Sequence, residues 1–375
     1  MDSILLLCEY PTLNGGERSF LSVLDGVRQA GFEITVACPP AGELADTLRS
    51  RRVAVLPFHF SNGNGVRFSQ DELRQRLTAL IQGGDFDLLH ANSLSMARLA
   101  GPTARQLGIP SIGHLRDILA LSRQAIDDIN QHTRLLAVSN ATRNWHVGHG
   151  IREEITHVLY NGVDVNRFRP RPAKGFLHAE FRLPRQTPLV ATIGQLVLRK
   201  GTDLFVEAAR RVADENPDAH FLCIGERYSE KDEAVELEER LIHWAQQPPL
   251  AGRFRFLGLR DDVHAILNEI TVLSHCARQE PLGRVLLEAA ASGVPVAATR
   301  VGGTPEIFPP GSEAAMLVTP DDADEMAEAI LQLLNTPHQR HRMSACARGI
   351  AQQHFDARRA AISLAEHYRE LTKRT

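Results

Sequence analysis

Short runs of aliphatic and β-branched residues recur along the chain, separated by longer stretches in which apolar positions return every three or four residues. The short runs predict buried strands and the longer stretches amphipathic helices. In the first half, strands are expected at Ile4–Cys8, Glu33–Ala37, Val53–Pro57, Leu88–His90, Ser111–His114 and Leu135–Val138. Helical spacing follows most of them. Between Glu17 and Ala30, for example, Phe20, Leu21, Leu24 and Val27 fall on one face, and Gly31 stops the helix. A second series runs through Leu189–Ile193, His220–Ile224, Arg255–Leu257, Thr271–Ser274 and Val294–Ala298, again with helices between. After Val318 the pattern is helical only, over Asp322–Leu334, Gln339–His354 and Ala357–Leu371.

Alternation of this kind predicts an α/β protein with parallel sheets covered by helices. Two series of strands predict two domains, which suits a chain of 375 residues, too long for one ordinary core. Between the series, Asn166–Thr187 carries Pro170, Pro172 and Pro184 among Arg167, Arg169, Arg171 and Lys174, and reads as a linker. The expected organisation is a first domain over 1–165, a linker over 166–187 and a second domain over 188–355. A closing helix over 356–375 has the option of packing back on the first domain.

Composition changes this picture little. A hydrophobic fraction of 43% and a charged fraction of 23% are ordinary for a globular protein, and a net charge of −3 gives no global attraction for nucleic acid. The apolar run Ile4–Cys8 is far shorter than the roughly 20 residues of a membrane helix. Five scattered cysteines without a CxxC pair fit a reducing cytoplasm. Arg49, Arg51 and Arg52, with Lys373-Arg374 at the end, leave open a weak peripheral contact with the inner face of a membrane, although such faces are usually only solvated.

The densest chemistry lies in Arg278-Gln-Glu-Pro-Leu-Gly-Arg-Val-Leu-Leu-Glu288, which follows a strand, turns at Pro-Leu-Gly and becomes a helix. The N–H groups of Leu282, Gly283, Arg284 and Val285 would then stand at a helix N-terminus, suited to phosphate or sugar oxygens. Alone, the segment reads equally well as a capped helix with solvated acids. Other motifs fall away. Neither first strand is followed by GxGxxG, so a dinucleotide-binding dehydrogenase lacks its glycines, and Arg199-Lys-Gly-Thr202 has the wrong order for a P-loop. Asp322-Ala-Asp324 reads as an acidic helix start, and the pairs His146/His149 and His338/His341 have no third ligand nearby.

Glu280 and Glu288, with the small-residue helix after them and Val301-Gly-Gly-Thr-Pro-Glu306 beyond, resemble the signature of the retaining GT-B glycosyltransferases of family 4. Further landmarks occur in order. They are Gly15-Gly16-Glu17, His114 in His-Leu-Arg-Asp117, Tyr160-Asn-Gly-Val-Asp164 with Phe168, Ile193-Gly194-Gln-Leu, Arg199-Lys200-Gly201, and Phe256-Leu-Gly-Leu-Arg-Asp-Asp-Val263. The resemblance implies two Rossmann-like domains facing across a cleft, with a nucleoside diphosphate sugar held mainly by the second. It implies transfer to an acceptor hydroxyl with retention of configuration, no metal, and front-face displacement assisted by the departing phosphate.

On the same resemblance, Glu288 would hold the ribose hydroxyls and Glu280 hydroxyls of the transferred sugar, while Lys200 would meet the diphosphate. His114 would approach the sugar from the first domain, Gly15 and Gly16 would offer backbone amides, and Arg260 would lie in the loop beside the base. Gly194 is followed by Gln195, where family members often carry arginine; Arg199 either supplies that charge or points to solvent. The acceptor, whether glycan, lipid-linked or small molecule, is not readable. A sugar-nucleotide epimerase, a phosphorylase, or a silent relative that only binds a sugar nucleotide remain as alternatives.

Overall fold

A computed structural model describes residues 1–373. The chain forms two compact units, one built from Met1–Gly162 with the segment that begins at Ala357, the other from Val163–Asp356. Of the basic C-terminal pair, Arg374 lies outside the described residues.

The first unit contains strands β1 (Asp2–Leu7), β2 (Phe32–Cys38), β3 (Ala54–Pro57), β4 (Leu88–Ala91), β5 (Ser111–Leu115), β6 (Arg134–Ala137) and β7 (Thr156–Val158). They form one parallel sheet in the order β3-β2-β1-β4-β5-β6-β7. Alternation along β1 sends Ile4 and Leu6 to one face and Leu5 and Leu7 to the other, so both faces are buried. Ile4 and Leu6 pack with Phe20, Leu24 and Val27 of the helix Gly15–Gln29, and with Ala361, Leu364, Ala365 and Tyr368 of the C-terminal helix Ala357–Thr372. Leu5 and Leu7 pack with Leu73, Leu77 and Leu99.

The second unit contains β8 (Leu189–Ile193), β9 (His220–Ile224), β10 (Phe254–Phe256), β11 (Val272–His275), β12 (Val296–Thr299) and β13 (Met316–Val318), parallel in the order β10-β9-β8-β11-β12-β13. In each sheet the order reverses beside the first strand, between β1 and β4 and between β8 and β11. Loops leaving the carboxyl ends of strands at such a point diverge and leave room for a ligand.

Several features differ from the sequence reading. Strands β7 and β13 carry three residues each, too few for a period to register. Gly15 and Gly16 are the first residues of the helix Gly15–Gln29, which the apolar spacing placed from Glu17 onward. The stretch 166–187, expected as a linker, is bound to the second unit. There the buried carboxylate of Glu269 accepts from the N–H groups of Lys174 (2.6 Å) and Gly175 (2.8 Å), Asn268 Oδ1 accepts from Arg171 N–H, and Phe176–Phe181 is helical. Arg49 and Arg51 donate to the carbonyls of Pro40 and Leu21, so part of the basic cluster is spent on internal contacts. Among the described residues no helix is long and apolar enough to cross a membrane. Asp322 caps its helix by accepting from Glu325 N–H at 2.8 Å.

The C-terminal helix approaches Gly26 so closely that a Cβ there would lie 2.6 Å from that of Ala361. Gly26→Val should therefore lower stability by about 1–3 kcal/mol through overpacking. Urea unfolding measures this as a lower midpoint, and an unchanged midpoint would contradict the close approach.

Candidate active site

In the second unit, two loops at the reversal of strand order are tied together. β8 leads through Gly194 and Gln195 into a 3-10 turn, Leu198–Lys200, and then by Gly201 into the helix Thr202–Glu215. β11 leads through Cys276–Pro281 to Gly283 and the helix Arg284–Ser292. The carbonyl of Arg199 accepts from the N–H of Arg278 at 2.9 Å. The Arg278 guanidinium in turn donates to Leu198 O and, through two nitrogens, to the Asp203 carboxylate at 2.8 and 2.9 Å. Gly201 has φ +66°, and a Cβ there would fall 1.8 Å from the carbonyl oxygen of Cys276, so only glycine lets the two loops touch.

This contact delivers Lys200 to Glu280. Lys200 Nζ lies 2.5 Å from Glu280 Oε2, and His275 Nε2, at the end of β11, lies 2.8 Å from the same oxygen. Glu280 is 4% exposed. Burial pushes its carboxyl upward, but the facing Lys200 ammonium and the His275 hydrogen bond outweigh burial and hold it well below the usual carboxylate range. The ionised group accepts from both neighbours, so His275 carries a hydrogen on Nε2. Neither neighbour engages Oε1. The ammonium has three hydrogens, and one bond to Glu280 leaves two. Behind the site, Gly303 N–H donates to Glu280 O at 2.9 Å. Gly302, at φ +50°, would bring a Cβ within 1.8 Å of that oxygen, which gives the Gly-Gly of the Val301–Glu306 motif a packing reason.

Gly283 adopts φ +101° and caps the helix Arg284–Ser292. Leu286 and Leu287 N–H close onto Gly283 O, while Leu282, Gly283, Arg284 and Val285 line the turn where a helix leaves backbone donors outside its ladder. One turn on, Glu288 Oε1 accepts from Arg284 Nη2 at 2.8 Å. The Arg260 guanidinium makes a two-point pair with Asp262 of its own loop at 2.8 and 2.9 Å and reaches Glu180 at 3.4 Å. No ion pair among the described residues holds the Arg199 guanidinium, and Gln195 lies in the loop between Gly194 and the 3-10 turn. The second unit thus brings Lys200 and Glu280 into contact, with Glu288 on the helix that Gly283 starts.

In the first unit, His114 is buried in β5 and Arg116 follows it out of the sheet. Arg116 Nε donates to Asn92 O (2.8 Å), Nη1 to Asn161 Oδ1 (2.9 Å), and Nη2 to Asn92 Oδ1 (2.8 Å) and His114 Nδ1 (3.1 Å). A Cβ on Gly16 would lie 3.2 Å from Arg116 Cδ, so the glycine leaves room for this side chain. Gly16, His114 and the Asn161 motif therefore converge on one guanidinium. Burial first, and the Arg116 charge second, hold the His114 imidazole well below its ordinary pKa. His90 lies edge to edge with it, the ring centroids 5.5 Å apart, and is pushed down to about 3 by the same two causes. Glu17 is buried in the first helical turn, and burial raises its carboxyl.

Sequence reasoning missed His275, His90, Asn92, Arg116 and Tyr368. His275 sits five residues before Glu280, a spacing that could have marked it once the carboxylate was singled out. Arg116 was visible in His-Leu-Arg-Asp117, but its partners come from 24 and 45 residues away.

A sequence model of the family described as Glycosyltransferase Family 4 matches residues 13–167, and one described as Glycosyl transferases group 1 matches residues 174–349. The chain is 31% identical over 271 residues to the GDP-mannose-dependent monoacylated alpha-(1-6)-phosphatidylinositol monomannoside mannosyltransferase of Corynebacterium glutamicum, covering 68% of each chain. It is 30% identical over 349 residues to the phosphatidyl-myo-inositol mannosyltransferase of Mycolicibacterium smegmatis, covering 88% of this chain and 84% of that one. Among solved structures, Anabaena HepE in complex with UDP-glucose superposes with a TM-score of 0.84 at 23% identity, covering 98% of this chain and 99% of that one. A glycosyltransferase from Rickettsia africae gives 0.85 at 18% identity, over 100% and 99%. At these identities the structural likeness speaks for the fold, and the sequence relatives carry the family. The chain belongs to glycosyltransferase family 4, is an enzyme that transfers glycosyl groups, and has the GT-B fold.

Proposed function

We propose that this enzyme transfers a hexosyl group from a nucleoside diphosphate sugar to an acceptor hydroxyl, with retention of configuration and without a metal ion. The observation that carries the reading is the contact of part-buried Lys200 with the buried Glu280 and His275, beside the start of the helix Arg284–Ser292. A departing diphosphate needs positive charge and N–H donors fixed in advance. Lys200 supplies an ammonium with two hydrogens to spare, and the helix start supplies amide hydrogens and the positive end of a dipole. Glu280 cannot act as an acid, since it is ionised at neutral pH; its Oε1 accepts from sugar hydroxyls. Glu288 accepts from the ribose hydroxyls through the oxygen not engaged by Arg284. Leu282, Gly283, Arg284 and Val285 line the phosphates, Gln195 and Arg199 sit in the neighbouring loop, and His114 meets a hydroxyl of the sugar.

Charge stabilisation by Lys200 and the helix start is the reason no metal is required, and front-face displacement follows because no second carboxylate stands free as a nucleophile in this reading. Relatives named for GDP-mannose and phosphatidylinositol, and a neighbour solved with UDP-glucose, make hexose donors and lipid-linked polyol acceptors the first classes to test. The domain boundary of this reading lies near residue 163, with the C-terminal helix serving the first unit.

Thermal shift with UDP-glucose and GDP-mannose, followed by transfer to candidate acceptors, tests the activity; turnover should survive chelator, and its loss would contradict metal independence. Lys200→Ala and Glu288→Ala should each weaken binding of the free nucleoside diphosphate by about tenfold, as expected for one charged contact. Calorimetry reads this, and full-strength binding by either variant removes that residue from the site. Glu280→Gln should cost roughly 3 kcal/mol at pH 7, because it leaves Lys200 facing a neutral group. The folded carboxyl titrates below its unfolded value of about 4.3, so the ion pair's contribution is complete above that value and is lost only as pH falls further. The gap between wild type and variant in urea midpoint should hold from pH 7 to about 5 and narrow in more acidic solution. A gap that closes already near neutral pH would contradict the depressed titration.

A further inference from the structure

His114 has a second set of neighbours. His90 Nε2 lies 3.3 Å from His114 Nδ1, and the Tyr368 hydroxyl lies 2.6 Å from His90 Nδ1. Tyr368 is fully buried on the C-terminal helix, with its ring packed edge-on against Phe32 at 5.3 Å. The two imidazole planes differ by only 15°, which suits a hydrogen bond lying in the ring planes.

The direction of this chain follows from one fact: a guanidinium only donates. Arg116 Nη2 lies 3.1 Å from His114 Nδ1, so that nitrogen must carry a lone pair. The hydrogen of the neutral ring is then on Nε2. His90 faces the same lone pair with its own Nε2 and must donate to it, which leaves His90 Nδ1 as an acceptor for the Tyr368 hydroxyl. His114 Nδ1 has one lone pair, so the two donors share it, Arg116 at 3.1 Å and His90 at 3.3 Å. At the far end, His114 Nε2–H is buried and has no hydrogen-bond partner among the described residues. A buried donor left open in this way costs stability unless something fills it. The ring also lines a small cavity with Arg116, Asn161, Phe20 and Leu364.

We propose that Tyr368 and His90 are positioning residues which, together with Arg116, lock His114 as the neutral Nε2–H tautomer and present it as a single aimed donor to a substrate oxygen. The proposal rests on the reading above that His114 meets the sugar. It goes further by fixing the chemistry of the contact. His114 gives a hydrogen bond to a hydroxyl or ring oxygen and takes no proton, so it is no general base. It also gives the C-terminal helix a part in substrate recognition, through one hydroxyl placed 278 residues from its partner.

Long-range proton–nitrogen correlation spectra of the full chain with labelled histidine read the tautomers directly, with His90→Gln and His114→Gln to assign the signals. At pH 7 both rings should be neutral with the hydrogen on Nε2. A His114 ring that is doubly protonated or carries its hydrogen on Nδ1 overturns the proposal without any variant having to fold. Tyr368→Phe keeps the ring and loses the donor. It should shift His90 toward a mixture with the Nδ1–H form, move the His114 signals, and lower kcat for transfer from UDP-glucose or GDP-mannose by about tenfold with little change in KM. Ring signals identical to wild type in that variant would also overturn it. If the tautomers are as stated but His114→Ala retains full turnover, the sugar contact falls while the hydrogen-bond chain stands, which separates the two readings.

Discussion

One carboxylate oxygen holds the chemistry of the second unit together. Glu280 Oε2 receives Lys200 and His275 at once, while the backbone oxygen of the same residue receives Gly303. Three loops that leave β8, β11 and β12 are therefore fastened to a single residue. A buried charge is tolerated only when it is paired and hydrogen-bonded, and here the pairing also decides where the ammonium stands. Gly201 and Gly302 exist for this arrangement, since a side chain at either would strike the opposing backbone. Lys200 is a cation on a flexible stem; Glu280 makes it a cation at a fixed point, which is what stabilising a developing charge requires.

The first unit uses a cation in a similar way and to a different end. Arg116 gathers Asn92, Asn161 and His114 from the ends of β4, β7 and β5, and Gly16 leaves it room. Its fixed fork gives orientation, and because it cannot accept, it also dictates where hydrogens sit on the histidines beyond it. In both units a charged side chain arranges its neighbours at the reversal of strand order, where the sheet leaves its loops apart.

Much of this could be seen in the sequence, and the reasons for what could not are specific. Strands such as Leu189–Ile193 and His220–Ile224 were legible to the residue because four apolar positions in five carry a strong signal. The edge strands Thr156–Val158 and Met316–Val318 were not, being too short for any period. The proline-rich stretch 166–187 looked like a linker because its anchor, Glu269, lies 94 residues further on. Glu280, Lys200 and Glu288 were singled out by motif, but the contact between Lys200 and Glu280 was not, and it changes the reading of Lys200 from a free cation to the partner of a buried carboxylate. Tyr368 was one apolar position in an amphipathic helix. Its hydroxyl mattered only once the fold brought it to His90.

The account stands on where the phosphates of the donor lie. A crystal structure with UDP or GDP bound tests this most directly. It should show a phosphate oxygen within hydrogen-bond reach of Lys200 Nζ and of the N–H groups at the start of the helix Arg284–Ser292, with the ribose hydroxyls on Glu288 and the Lys200–Glu280 contact kept. Phosphates bound away from both Lys200 and that helix would contradict it.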